Sequence, residues 1–110
     1  MSPVDVGIVP RRGPVGTRVR ISGRCFSRRW NAGYGIFLRR RFTEPRECEV
    51  IAGGRFRFRV DRDRDGRGWF EVARDGACFQ RRYRRSVTPG RYSIGFGCHA
   101  CAIGRFRVTR

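Results

Sequence analysis

The chain has 110 residues, 26 of them arginine and none lysine, and its formal net charge at pH 7 is +17. This length fits one domain, which we expect to span residues 1–110, and 39% hydrophobic residues supply a core, so a wholly disordered chain is excluded. No apolar run reaches the roughly 18 residues of a membrane-spanning helix, so we expect no membrane insertion.

In chain order, the sequence is mostly an alternation of hydrophobic and polar residues, which predicts strands with one buried and one solvent-exposed face. In "TRVRISG", Val19 and Ile21 fall on the buried face. In "RFRFRV", Phe56 and Phe58 do so, and the arginines between them face solvent. We expect the segment 77–88 to be a long loop or a single helical turn. The predicted strands lie near residues 4–9, 17–24, 34–41, 46–51, 54–61, 68–74, 91–97 and 103–109.

Short strands with regular spacing and turn signals between them predict an all-β fold, a single immunoglobulin-like β-sandwich of about seven or eight strands. The stretch "VPRRGPVGTRVRISGRCF" resembles the first two strands of IPT/TIG-type immunoglobulin-like domains, and "PGRYSIGFG" with "GRFRVT" is similar to their closing strands. The resemblance implies a non-enzymatic domain for binding, adhesion or assembly. It also implies that Tyr92 is a corner tyrosine whose hydroxyl bonds back to the preceding loop. The matching positions of the opening stretch are Pro10, Gly13, Gly16, Val19, Ile21, Gly23 and Phe26.

The stretch "DRDRDG" has the oxygen spacing that opens a calcium loop, with carboxylates at Asp61, Asp63 and Asp65. A calcium loop also needs a glutamate at its twelfth position, where this chain has Val72. We therefore interpret the stretch as a β-hairpin turn at Asp65 and Gly66, with calcium as the minor alternative.

Five cysteines in a short chain predict disulfides and an oxidising compartment, although no signal peptide is visible in the sequence. One pairing that suits the predicted fold joins Cys25 to Cys98. Zinc held by Cys98, His99 and Cys101 is the second interpretation of "CHAC". The pairing stays open, and the disulfide candidates are Cys25, Cys48, Cys78, Cys98 and Cys101.

The sequence patterns of catalysis are missing from the chain. His99 is the only histidine, and on an extended chain it and Cys98 point to opposite faces. No paired-carboxylate, nucleophile-elbow or phosphate-loop pattern occurs. We therefore expect neither an enzyme nor a cofactor.

The arginines are the strongest functional signal. A GC-rich or thermophilic genome could also account for arginine at surface positions. The positive electrostatic potential exists in either case, and because the charges repel one another, binding of an anionic partner is favoured. Trp30, Tyr34 and Tyr83 are the aromatic candidates for base stacking near arginine. The expected partner-binding residues are Arg18, Arg20, Arg55, Arg57, Arg59, Arg81, Arg82, Arg84, Arg85, Arg105 and Arg107.

The sequence thus predicts a non-enzymatic structural or binding module of a larger extracellular, cell-surface or virion assembly. Its expected partner is an acidic protein subunit or another polyanion, such as a surface polysaccharide. A cytoplasmic protein that binds nucleic acid through phosphate contacts alone is the first alternative. A small binding domain stabilised by zinc or calcium is the second.

Overall fold

The chain folds into β-strands that pair into two sheets. The computed structural model describes residues 5–31, 35–42, 49–78, 84–96 and 102–110. Within these ranges the only helix is a 3-10 turn at Arg28–Asn31. The strands are β1 Asp5–Val9, β2 Arg12–Gly13, β3 Arg18–Arg24, β4 Ile36–Arg41, β5 Glu49–Ala52, β6 Phe56–Val60, β7 Gly66–Glu71, β8 Asp75–Cys78, β9 Arg84–Ser86, β10 Gly90–Phe96 and β11 Ala102–Val108.

The strands form a four-stranded sheet of order β1-β3-β7-β6 and a seven-stranded sheet of order β2-β11-β10-β4-β5-β8-β9. The described pairs are antiparallel except for β2 with β11, which run parallel. The expectation of an all-β fold is therefore confirmed. Each predicted strand overlaps a strand of the structure, whereas β2, β8 and β9 were not predicted.

Both sheets contribute to one hydrophobic core. Val19 and Ile21 of β3 are buried, as the alternation predicts, and so is Phe70 of β7. From the seven-stranded sheet, Phe106 of β11 meets Phe70 with ring centroids 6.4 Å apart and the rings edge to face. Because burying one such side chain stabilises the fold by about 1.5–3 kcal/mol, this layer holds the two sheets together.

A cluster of aromatic rings closes one end of the core. Phe26, which follows β3, lies 5.1 Å from the ring of Phe58 in β6 and 5.7 Å from that of Phe96 in β10. Gly66 leaves the space that this cluster needs, because a Cβ there would lie 2.6 Å from both Phe26 and Phe58. The rings thus fix the distance between the two sheets at the end where β6 turns into β7.

The turn between β6 and β7 is built on Asp61. Its carboxylate Oδ1 accepts the backbone N–H groups of Asp63 (2.9 Å) and Asp65 (3.0 Å), and its own N–H donates to the carbonyl oxygen of Asp65 (2.9 Å). Arg64 takes the left-handed conformation, with φ 67°. The predicted hairpin is confirmed, but its turn spans residues 61–65, and Gly66 is the first residue of β7.

The segment 77–88 is a correction to the sequence prediction. Cys78 belongs to β8 and Arg84–Ser86 forms β9, and the two strands pair antiparallel, with Asp75 opposite Ser86. A three-residue strand with the sequence Arg-Arg-Ser carries no hydrophobic alternation, so the pattern that identified the other strands has nothing to detect there.

The assignment of Phe56 to the core is wrong, since its side chain is 44% exposed. Phe58 packs at the margin of the core, as predicted. The difference arises because β6 is an edge strand of its sheet, and the core packs against Phe58 but not against Phe56.

Tyr92 behaves as the resemblance implies. It is buried in β10, its hydroxyl donates to the carbonyl oxygen of Thr88 (2.9 Å), and it accepts the N–H of Thr88 (3.1 Å). The hydroxyl is thus satisfied within the chain, and it fixes the loop before β10.

Candidate anion-binding face

The outer surface of the four-stranded sheet gathers the residues that do not enter the core. Because side chains alternate along a strand, the neighbours of buried residues project to solvent. Strand register aligns them in rows, and the two central rows contain no acidic residue, whereas a neighbouring row pairs Arg18 with Glu71. The first row is Val9, Arg20, Trp69 and Arg57, and the second is Gly7, Ser22, Arg67 and Arg59. We call this surface the arginine–tryptophan face and define it by Arg20, Arg57, Arg59, Arg67 and Trp69.

The four arginines of this face are exposed and unpaired. None has a side-chain hydrogen bond or an ion pair with any residue in the described part of the chain. Arg59 and Arg67 also lie directly opposite each other in adjacent strands, and like charges so placed are destabilising. An anion bound between them would relieve that repulsion.

Trp69 is half-buried and held by Arg18. The Arg18 guanidinium carbon lies 3.9 Å from the centre of the indole, while its Nη2 donates to Glu71 Oε1 at 3.0 Å. The stacking contributes about 0.5–1 kcal/mol at such a site, and the ion pair contributes about 0.2–1 kcal/mol. The Arg18 guanidinium thus already has partners within the chain, and the charge of Glu71 is neutralised beside the face.

An open groove of about 690 Å³ runs over the face, lined by Arg20, Arg67 and Trp69 among others. Small residues make room for it, since Gly7 and Ser22 lie opposite each other in its floor. A second groove of about 460 Å³ is also lined by Arg57 and Trp69. Trp69 therefore borders two grooves.

Two large hydrophobic side chains of the described residues are exposed, and one of them borders Trp69. Val9, 62% exposed, shares a register row with Trp69 and lines the first groove, whereas Phe56, 44% exposed, lies opposite Phe70 and projects from the other side of the sheet. The surface therefore combines positive charge with accessible apolar area.

The structure divides the predicted arginine set among several places. Arg18, Arg20, Arg57 and Arg59 lie on the four-stranded sheet, and Arg55 precedes β6 and lines the second groove. The two arginines of β11 and the two of β9 belong to the seven-stranded sheet. The expected partner-binding arginines thus lie on more than one surface. The members outside the four-stranded sheet are Arg84, Arg85, Arg105 and Arg107, while Arg81 and Arg82 lie outside the described residues.

A second basic surface lies on the outer side of the seven-stranded sheet. There Arg107 of β11 stands opposite both Arg91 of β10 and Arg12 of β2. We call this surface the β10–β11 face and define it by Arg12, Arg91, Arg105 and Arg107, all of which are exposed. Arg12 and Arg91 were not among the residues predicted from the sequence.

The aromatic residues near arginine also differ from expectation. Trp30 is half-buried, with its ring 4.6 Å from that of Phe96, so it is part of the core margin and not a stacking platform. Tyr34 and Tyr83 lie outside the described residues. Trp69 was not predicted from the sequence, although the alternation in "GRGWFEV" places it on the same side of the strand as Arg67.

A calcium ion bound at this loop would compete with the hairpin turn for the carboxylate oxygen of Asp61. The carboxylate of Asp61 accepts two backbone N–H groups, while the side chains of Asp63 and Asp65 are exposed and half-buried respectively. Within the described ranges, no three His, Cys, Asp or Glu side chains are grouped to hold a metal ion. The zinc candidates Cys98, His99 and Cys101 lie outside these ranges.

The described cysteines differ in their state. Cys25 is a free and exposed thiol, so the proposed pairing with Cys98 is wrong. Continued alternation from β3 would turn Cys25 inward, but its φ of 62° breaks the strand there. Cys78 is buried and disulfide-bonded, and the cysteine that completes its bond lies outside the described residues, as does Cys48.

Comparisons with protein-family models, with curated proteins and with solved structures give no match for this chain, so the functional argument rests on its own residues. In the described ranges, no helix is long and apolar enough to cross a membrane.

Proposed function

We propose that the protein is a non-enzymatic binding module that docks on a polyanion through the arginine–tryptophan face, as part of a larger assembly. The observation that carries the proposal is the group of four exposed, unpaired guanidinium groups on three neighbouring strands. Guanidinium groups hold phosphate, sulfate and carboxylate with two parallel hydrogen bonds, and such charge-assisted bonds are about twice as strong as neutral ones. A flat sheet presents several of them to one partner at once.

We infer further that the two sheets form an immunoglobulin-like β-sandwich. The order β1-β3-β7-β6 corresponds to strands A-B-E-D of such domains, and β11-β10-β4 corresponds to G-F-C. The hydroxyl bond from Tyr92 to Thr88, at the start of β10, supports the same assignment, because a corner tyrosine occupies this place in strand F. The IPT/TIG resemblance agrees with it, and β8 and β9 would be additions to the edge of the second sheet.

The assembly that we propose is extracellular, on a cell surface or in a virion, with the cytoplasm as the alternative. The disulfide at Cys78 supports an oxidising compartment, because cytosolic thiols are normally kept reduced. Immunoglobulin-like domains also serve widely as recognition modules on cell surfaces.

The test is binding of polyphosphate, a polyanion without apolar groups, by two variants of equal charge. Arg→Gln replacement at Arg20, Arg57, Arg59 and Arg67 lowers the net charge from +17 to +13. The same replacement at the four positions of the β10–β11 face gives the same net charge and serves as the matched control.

We expect the first variant to lose about tenfold or more in affinity at low salt and to show a weaker dependence on salt, because it loses up to four ionic contacts. The control variant should stay within about threefold of the natural sequence, since only the long-range field changes. Equal losses in the two variants would contradict the proposal and leave only a general effect of charge.

A further inference from the structure

The face contains apolar surface that a purely ionic partner would not use. Trp69 stands in the middle of the first row, and the exposed Val9 stands at the end of the same row and lines the first groove. A polymer that is charged along its whole length would contact the arginines and leave these side chains in water. The surface therefore fits a polyanion that also carries flat apolar groups.

The spacing of the face suits a chain in which planar groups and charges alternate. Arg20 and Arg57 flank Trp69 in the same row, each one strand away, which is about 4.8 Å in the direction of the backbone hydrogen bonds. Arg67 lies two residues back along β7, about 6.7 Å away. A group stacked on the indole thus has a guanidinium within reach on three sides.

We infer that the arginine–tryptophan face binds single-stranded nucleic acid, with a base stacked on the indole of Trp69 and phosphates held by the surrounding arginines. The inference rests on the proposed function and names the chemistry of its anionic partner. Stacking platforms of aromatic side chains within a positively charged surface are the general means by which proteins bind unpaired strands.

A single strand fits better than a duplex, because base pairs in a duplex already stack on one another and offer no free face to a side chain on a sheet. The indole is also held ready for such a partner. Arg18 covers one face of the indole at 3.9 Å and is itself anchored to Glu71, so that little ordering of Trp69 remains when a base stacks on the opposite face. An acidic peptide matches the arginines but has no flat group at its charged positions, and it is the competing occupant in the test.

The experiment uses the Trp30→Phe variant, in which Trp69 is the only tryptophan. Trp30 packs against Phe96 at the core margin, and phenylalanine keeps an aromatic ring there. Its fluorescence is followed during titration with a thymidine oligonucleotide of about 12 nucleotides, a length within the range that one binding fold covers. The matched ligands are polyphosphate, polyglutamate and a DNA duplex at equal concentrations of charge.

We expect the oligonucleotide to quench Trp69 and to bind more tightly than the other three ligands. Trp69→Leu should weaken binding of the oligonucleotide by about 5- to 150-fold, the loss that one stacked base corresponds to, and should change binding of polyphosphate by less than about threefold. The quenching experiment leaves Trp69 in place, so it decides the question even where the leucine variant fails to fold.

Two results would overturn the inference and leave the proposed function standing. The first is equal binding of the oligonucleotide and polyphosphate without quenching of Trp69, and the second is tighter binding of polyglutamate or of the duplex. Absence of binding by all four ligands at low salt would overturn the inference and the proposed function together.

Discussion

The arginine–tryptophan face and the β10–β11 face each contain four exposed arginines, but only the first has an indole among them. On the arginine–tryptophan face, Trp69 lies between Arg20 and Arg57 in one register row. On the β10–β11 face, the corresponding place between Arg39 and Arg105 is taken by Ser93. We therefore expect the two faces to differ as binding sites in spite of their equal charge, because the neighbours of the arginines determine which anions can bind.

The role of the indole can be tested by introducing an aromatic residue into the β10–β11 face. Ser93 projects outward between Arg39 and Arg105, and its only described hydrogen bond, to the Arg39 carbonyl oxygen, is long at 3.4 Å. We expect Ser93→Trp to strengthen binding of an oligonucleotide about five- to tenfold, at the low end of the gain from one stacked base. The anisotropy of a labelled thymidine oligonucleotide, titrated in the Trp69→Leu background, measures it, and Ser93→Leu, which adds bulk without a large ring, is the control.

An unchanged affinity in Ser93→Trp would mean that an indole between two arginines does not suffice, and that the grooves beside Trp69 are needed as well. A gain of equal size in Ser93→Leu would attribute the effect to apolar area alone.

A smaller effect is expected from a substitution in the seven-stranded sheet, which should lower stability without changing binding at the arginine–tryptophan face. Tyr92→Phe removes a hydroxyl that bonds to both the N–H and the carbonyl oxygen of Thr88. We expect the free energy of unfolding to fall by about 1 kcal/mol, measured by urea denaturation. Polyphosphate affinity under native conditions should not change, and a parallel loss of affinity would show that the binding surface depends on the far sheet.

Alternation with period two predicted much of the fold but not the grouping of its faces. It placed Val19 and Ile21 in the core correctly, and it turned Arg57 and Arg107 to solvent. The pattern fixes which side of its own strand a residue occupies and says nothing of which sheet the strand joins. Arg57 and Arg107 were therefore expected together, although their sheets expose them on different sides of the core.

The remaining errors have local causes. Phe56 has the alternation of a core residue but lies on an edge strand, where its side chain is 44% exposed. Cys25 departs from the pattern because the backbone takes a positive φ at that residue, which a non-glycine residue rarely does. Trp69 could have been predicted from the sequence, because it alternates with Phe70 and lies on the same side of β7 as Arg67.

The central claim is that one face, and not the total charge, forms the docking surface. It is tested most directly by nuclear magnetic resonance of ¹⁵N-labelled arginine side chains during titration with the thymidine oligonucleotide. Single Arg→Gln variants assign the signals of the eight residues in the two faces. We expect the signals of Arg20, Arg57, Arg59 and Arg67 to shift with a common saturation curve, while those of the β10–β11 face stay in place. Shifts of similar size in both sets, or larger shifts in the β10–β11 face, would contradict the account.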